Sequence, residues 1–163
     1  MHQMYHFILE KLGKVKLLVH VTQLKRKRDK LHSPSRKDLR VWSLNGQIEL
    51  ATYWKILPNG TGCTLLVRAH GREMLKYDFF IENKSHFHLF PATGTRLDFP
   101  MENVLEQMDW AFNQLDSHFK TAVAQHPRPE MRGTTLSISG QVNSEVDAEL
   151  RKLWAEAPWA KVG

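Results

Sequence analysis

"RVWSLNGQIELATYWKIL", residues 40–57, is two runs rich in β-branched and aromatic residues on either side of Asn45-Gly46. Asn-Gly is the pair preferred in a two-residue type I′ turn, where both central positions need positive φ. The stretch therefore predicts a β-hairpin. Closing it on a two-residue turn sets Ser43 opposite Ile48 and Val41 opposite Leu50. Alternation then puts Ile48, Leu50, Thr52, Trp54 and Ile56 on one face of the second strand, taken as the core face. Gln47, Glu49, Ala51, Tyr53 and Lys55 share the other.

Working outward, "CTLLVRA" (63–69) and "EMLKYDFFI" (73–81) flank His70-Gly71-Arg72. A three-residue turn with Gly71 left-handed pairs Val67 with Leu75, Leu65 with Tyr77 and Cys63 with Phe79. A two-residue turn mismatches these faces, so register favours three. Asn83-Lys84 turns the chain again into "SHFHLF" (85–90), which completes an antiparallel meander of about five strands. Upstream, residues 2–11 read as a short helix stopped by Gly13, and "VKLLVHV" (15–21) as a strand.

A one-sided sheet needs a cover. Val104, Leu105, Met108, Ala111, Phe112, Leu115, Phe119, Ala122 and Val123 form a helical stripe, which predicts a long helix over about 100–125. Asp98 is its expected cap, with Pro100 in its first turn. "TTLSISG" (134–140) reads as a further short strand. A second helix is expected over about 144–157, with Val146, Leu150, Leu153 and Ala157 as its stripe, Ser144 as its cap and Pro158 as its stop. The fold class is α+β, with both helices packed on one face of the meander. A chain of 163 residues fits one domain, 1–163.

Charge is unevenly placed. Residues 11–40 contain eleven Lys or Arg against Asp29 and Asp38, so that stretch carries +9. The remaining 133 residues hold twelve basic and fifteen acidic side chains, a balance of −3. Such asymmetry points to an anionic partner. Ser33-Pro34-Ser35 interrupts the basic run and resists helix and strand alike, so 25–38 is expected to be a mobile loop. The single cysteine, Cys63, excludes an internal disulfide and a cysteine-based zinc site; it reads as a small buried apolar residue. Lys11, Lys14 and Lys16 break the opening apolar run, which argues against a signal peptide. An intracellular location follows as the expectation, cytoplasmic, or nuclear if the source is eukaryotic, with no membrane partner.

Three functions remain. The first is a nucleic-acid-binding or regulatory protein, without catalysis, metal or cofactor, favouring single strands. Lys25, Arg26, Lys27, Arg28 and Lys30, continued by Arg36 and Lys37, supply phosphate contacts. Arg40, Trp42, Tyr53, Lys55, Arg68 and Lys76 supply a basic and aromatic platform on the open sheet face. The second is an adaptor or inhibitor whose basic loop meets an acidic protein surface. The third is a metal-independent ribonuclease, for which His70, His86, His88, Arg68 and Lys76 supply the residue types but no spacing rule selects them.

His86 and His88 share one face of a strand, a spacing that also suits a metal. A third ligand would have to come from His70, Asp78 or Glu73, and the preferred reading is two partly exposed histidines on a sheet edge. Leu66, Met74 and Phe80 fall on the face opposite the core, so something apolar is expected to cover part of it, with a homodimer contact as one candidate.

Overall fold

The computed structural model describes residues 36–57, 60–81, 84–89 and 95–156. The helix expected at 2–11, the strand at 15–21 and the cluster Lys25–Lys30 lie outside the described residues. Five strands run in chain order: β1 (Arg36–Ser43), β2 (Ile48–Leu57), β3 (Gly60–Ala69), β4 (Arg72–Phe80) and β5 (His86–His88). They form one antiparallel sheet in the order β1-β2-β3-β4-β5. Helix α1 (Val104–Ala124) packs against β4, and α2 (Gly140–Ala155) against β2 and β3. A 3-10 turn at Pro129–Met131 joins them. The α+β meander with two helices on one face is therefore present.

The core lies between the sheet and those helices. Ile48, Leu50, Leu65, Val67, Leu75, Tyr77, Phe79 and Phe87 meet Met108, Ala111, Leu115 and Phe119 of α1 and Val146, Leu150 and Leu153 of α2. Cys63 is buried among them. Val67, Leu65 and Cys63 pair with Leu75, Tyr77 and Phe79, as the facing of apolar side chains requires. The turn is one residue shorter than expected. Ala69 pairs with Arg72 across His70 and Gly71, which both have positive φ, at 50° and 72°. That is the backbone of a tight type I′ turn. A register shift between Val67 and Arg68 restores the matched faces.

The first hairpin corrects the sequence reading by one residue. Ser43 pairs with Glu49, Trp42 with Leu50 and Val41 with Ala51. The turn holds three residues, 45–47, and the Asn45 side chain accepts from the backbone N–H of Gln47 (3.1 Å) and Ile48 (3.0 Å). Leu44 N–H closes it on the Ile48 carbonyl at 2.9 Å. One residue of slip moves every side chain to the opposite face. Trp42 thus packs against the helix-side core, where the sequence reading had put it on the open face. A second shift, between Lys37 and Arg40, turns Arg36 to the other side of the sheet. Ile56, expected in the core, is exposed.

The element ends also move. Asn103, rather than Asp98, caps α1, its Oδ1 accepting from the N–H of Leu105 and Glu106. Ser139, rather than Ser144, caps α2, which begins a turn earlier than expected. Residues 134–139 form no strand, although Leu136 and Ile138 pack on the core. Of the basic loop expected over 25–38, Arg36, Lys37 and Asp38 belong to β1 instead, and 25–35 lies outside the described residues.

The sheet face away from the helices is not the open platform expected. Ala51, Tyr53 and Leu66 are fully buried there, with Leu39 beside them.

Candidate functional site

Alternation along β2, β3, β4 and β5 brings polar side chains together on that second face. Lys55 follows Tyr53, Thr64 precedes Leu66, Lys76 and Asp78 alternate on β4, and His86 and His88 alternate on β5. Thr64 pairs with Asp78, Asp78 with His86, and Lys76 with His88. Adjacent strands place these side chains shoulder to shoulder.

Asp78 is the hub, and its side chain is only 2% exposed. Thr64 Oγ1 donates to its Oδ1 at 2.6 Å. Lys76 Nζ lies 2.8 Å from Oδ2, and Lys55 Nζ 3.9 Å from Oδ1. The Nε2 atoms of His86 and His88 lie 3.4 Å and 3.8 Å from the same Oδ2. Each ring is anchored at its far side: His86 Nδ1 lies 2.8 Å from the Lys84 carbonyl, and His88 Nδ1 2.6 Å from the Thr95 carbonyl. A carbonyl oxygen only accepts, so in both rings Nδ1 carries a proton.

Burial opposes ionisation of Asp78, but the ammonium groups of Lys76 and Lys55 and the bonds from Lys76 and Thr64 outweigh it, holding the carboxyl below the usual range. Burial alone would discharge Lys76; the Asp78 carboxylate beside it keeps its pKa raised instead. Lys55, farther from Asp78 and next to Lys76, is pushed down to about 8, chiefly by burial. Burial lowers His86, and burial with the Lys76 charge lowers His88 to about 4. Both shifts disfavour the charged imidazolium beside Asp78.

The expected platform residues have other work. Tyr53 is fully buried and offers no ring face to a base; Arg36 lies over its ring, 4.7 Å from the centroid, and ion-pairs with Glu73. Trp42 donates to Glu145 of α2 at 3.3 Å. Arg40 pairs with Glu149 at 3.0 Å, and Arg68 with Glu49 at 2.8 Å. Lys55 and Lys76 converge on Asp78. Lys37 is exposed on β1. Arg40, Trp42, Tyr53, Lys55, Arg68 and Lys76 are therefore not gathered as one open surface.

The ribonuclease set is divided likewise. His86, His88 and Lys76 are together, whereas His70 sits in the β3–β4 turn with Nε2 3.3 Å from Thr134 Oγ1, and Arg68 bonds Glu49 and the Gly71 carbonyl. His86 and His88 are buried rather than partly exposed. Of the three proposed companions for these histidines, only Asp78 is present; Glu73 belongs to Arg36. Thr64 was missed, though its place opposite Asp78 follows from the Cys63–Phe79 register.

A cleft between β1, β2 and α2 is lined by Asp38, Arg40, Glu149, Lys152 and Glu156, and its mixed charges select no ligand class. Among the described residues no helix is long and apolar enough to cross a membrane. Comparison with known proteins finds no family model, no characterised protein and no solved structure that matches this chain.

Proposed function

We propose that this protein binds polyanions, nucleic acid first among them, through Lys25, Arg26, Lys27, Arg28 and Lys30, with Lys37 at the sheet edge as a flanking contact. The sheet face takes no part. The observation that carries this reading is the division of charge. Residues 1–35 hold eight Lys or Arg against Glu10 and Asp29, whereas the remaining 128 residues hold fifteen of each sign. The whole net charge of +6 thus resides in the first 35 residues.

The pairings of the body support the same division. Arg36, Arg40, Lys55, Arg68 and Lys76 each lie against a carboxylate of the chain itself. A cation already paired releases little when it meets a phosphate, while a dense basic cluster displaces condensed counterions. Five basic residues within the six positions 25–30, with Asp29 the sixth, make such a cluster.

Filter binding against single- and double-stranded DNA and RNA, at low and at physiological salt, tests the reading. Retention should fall steeply with salt and should largely disappear when Lys25, Arg26, Lys27, Arg28 and Lys30 become Ala. Negligible retention at low salt overturns the proposal and favours an acidic protein surface as the partner. Fragmentation of RNA that stops with His86→Gln or His88→Gln would overturn it in favour of an enzyme.

A further inference from the structure

The basic segment leaves the buried cluster on the second sheet face without a role. We propose that Asp78, His86 and His88 form a binding site for one divalent transition-metal ion of the zinc class. Their ligand atoms lie within 4.8 Å of one another, and two of the three separations are 3.4 Å and 3.8 Å. Tetrahedral bonds of about 2.0–2.2 Å place neighbouring ligand atoms roughly 3.4 Å apart. The observed spacing is close to that and needs only small side-chain rotations.

The tautomers point the same way. With Nδ1 of each ring donating to a backbone carbonyl, Nε2 of each ring faces Asp78 Oδ2 and is the nitrogen placed to ligate an ion beside it. An outer carbonyl on the far nitrogen is also how metal-bound histidines are commonly oriented and made more basic. Two imidazoles with one carboxylate, and no thiolate nearby, suit zinc, cobalt, nickel or ferrous iron better than calcium or magnesium.

Lys76 complicates the site in a way that can be measured. Its ammonium lies 2.8 Å from the Oδ2 that would ligate the metal. A carboxylate oxygen has lone pairs for both. Like charges so close repel, so Lys76 weakens the metal rather than excluding it. Thr64, on Oδ1, is compatible with either occupant.

The full chain, freed of metal with a chelator and dialysed, should be titrated at neutral pH with Zn²⁺ by calorimetry and with Co²⁺ by visible absorption. The wild type should bind one equivalent at this site, with the intense Co²⁺ bands of a four- or five-coordinate ion. His86→Gln and His88→Gln should each weaken that binding at least tenfold while the far-ultraviolet dichroism is unchanged. Lys76→Met should tighten it. Absence of saturable Zn²⁺ binding in the wild type overturns the proposal. So does binding that persists unchanged in both glutamine variants, since the ion then sits on other histidines. Should the glutamine variants fail to fold, Lys76→Met decides alone: tighter binding supports the site, and unchanged or weaker binding refutes it. The outcome is independent of polyanion binding, which uses none of these residues.

Discussion

Thr64 Oγ1 lies 2.6 Å from Asp78 Oδ1, across the β3–β4 ladder and on the sheet face away from both helices. That bond helps keep a buried carboxylate ionised between two lysines. Removing it should leave the charge without one of its donors. Thr64→Val is predicted to cost about 1.5–3 kcal/mol in urea unfolding, the range for a hydrogen bond to a charged group. Thr64→Ser, which keeps the hydroxyl, should recover most of the loss. Equal stability of Thr64→Val and wild type would mean that Asp78 does not depend on this donor.

Trp42 distinguishes core from platform. It pairs with Leu50, packs against the helix-side core and donates to Glu145. Trp42→Ala should cost roughly 1–3 kcal/mol, below the ~3–5 of a fully buried tryptophan, because the ring is only partly buried. Affinity for a single-stranded oligonucleotide should be unchanged when measured below the unfolding transition. A stable variant with much weaker binding would return Trp42 to the role of a stacking surface.

His118 supplies a pH signature. It stacks on Phe87 and Tyr77 in the core, and burial lowers its pKa from 6.5 to about 4. In that interval the unfolded chain takes up a proton that the folded chain refuses. The contribution of this ring to stability is therefore complete above pH 6.5 and declines as pH falls toward 4. His86 and His88 are shifted in the same direction and add to the slope. His118→Phe keeps a ring in the stack and removes one titration, so urea midpoints measured across this window should depend less on pH than in the wild type. An identical slope would show that His118 titrates normally in the folded state.

Gly62 has no room for a side chain. It pairs with Phe80, and a Cβ built on it would lie 1.9 Å from the Phe79 carbonyl oxygen and 2.7 Å from Phe80 Cα. Backbone cannot yield as a flexible side chain does. Gly62→Ala should cost at least the upper end of the ~1–3 kcal/mol typical of overpacking, read from thermal or urea denaturation. A neutral substitution would mean that β3 and β4 separate more easily than their ladder indicates.

The fold was legible where two signals agreed. Along β3 and β4, apolar side chains at Cys63, Leu65 and Val67 could face Phe79, Tyr77 and Leu75 in one register only, and that register is present. In α1 the stripe from Met108 to Val123 located the buried face, although Leu105 is exposed and Gln107 is buried within it. At the first hairpin the signals conflicted. Asn45-Gly46 argued for a two-residue turn, yet Trp42 and Leu44 alternate in step with Ile48 and Leu50 only if three residues, 45–47, separate Leu44 from Ile48. Burying the large rings prevailed, and the Asn45 side chain stabilised the wider loop.

The cluster around Asp78 was harder to read. A strand bearing Lys76 and Asp78 looks solvent-facing, because charges so placed normally are. They are buried here because Lys76 and Lys55 both lie against the one Asp78 carboxylate, Lys55 reaching it from β2 across the intervening β3. Alternation alone put His86 and His88 on one face, but their partner depended on the β4–β5 register. The shifts at Lys37/Arg40 and Val67/Arg68 leave no mark in the residue pattern, and with them went the true direction of Arg36.

The salt dependence of oligonucleotide binding tests the division of charge most directly. Fluorescence anisotropy of a labelled single strand, titrated over a series of sodium chloride concentrations, gives the slope of log affinity against log salt. Each phosphate contact contributes about 0.7 to that slope for a single strand. Replacing Lys25, Arg26, Lys27, Arg28 and Lys30 together by Ala should flatten it by up to about 3.5, while Lys76→Met and Arg68→Met leave it where it was. A slope that survives the five replacements, or that collapses with the sheet lysine or arginine alone, would contradict the account.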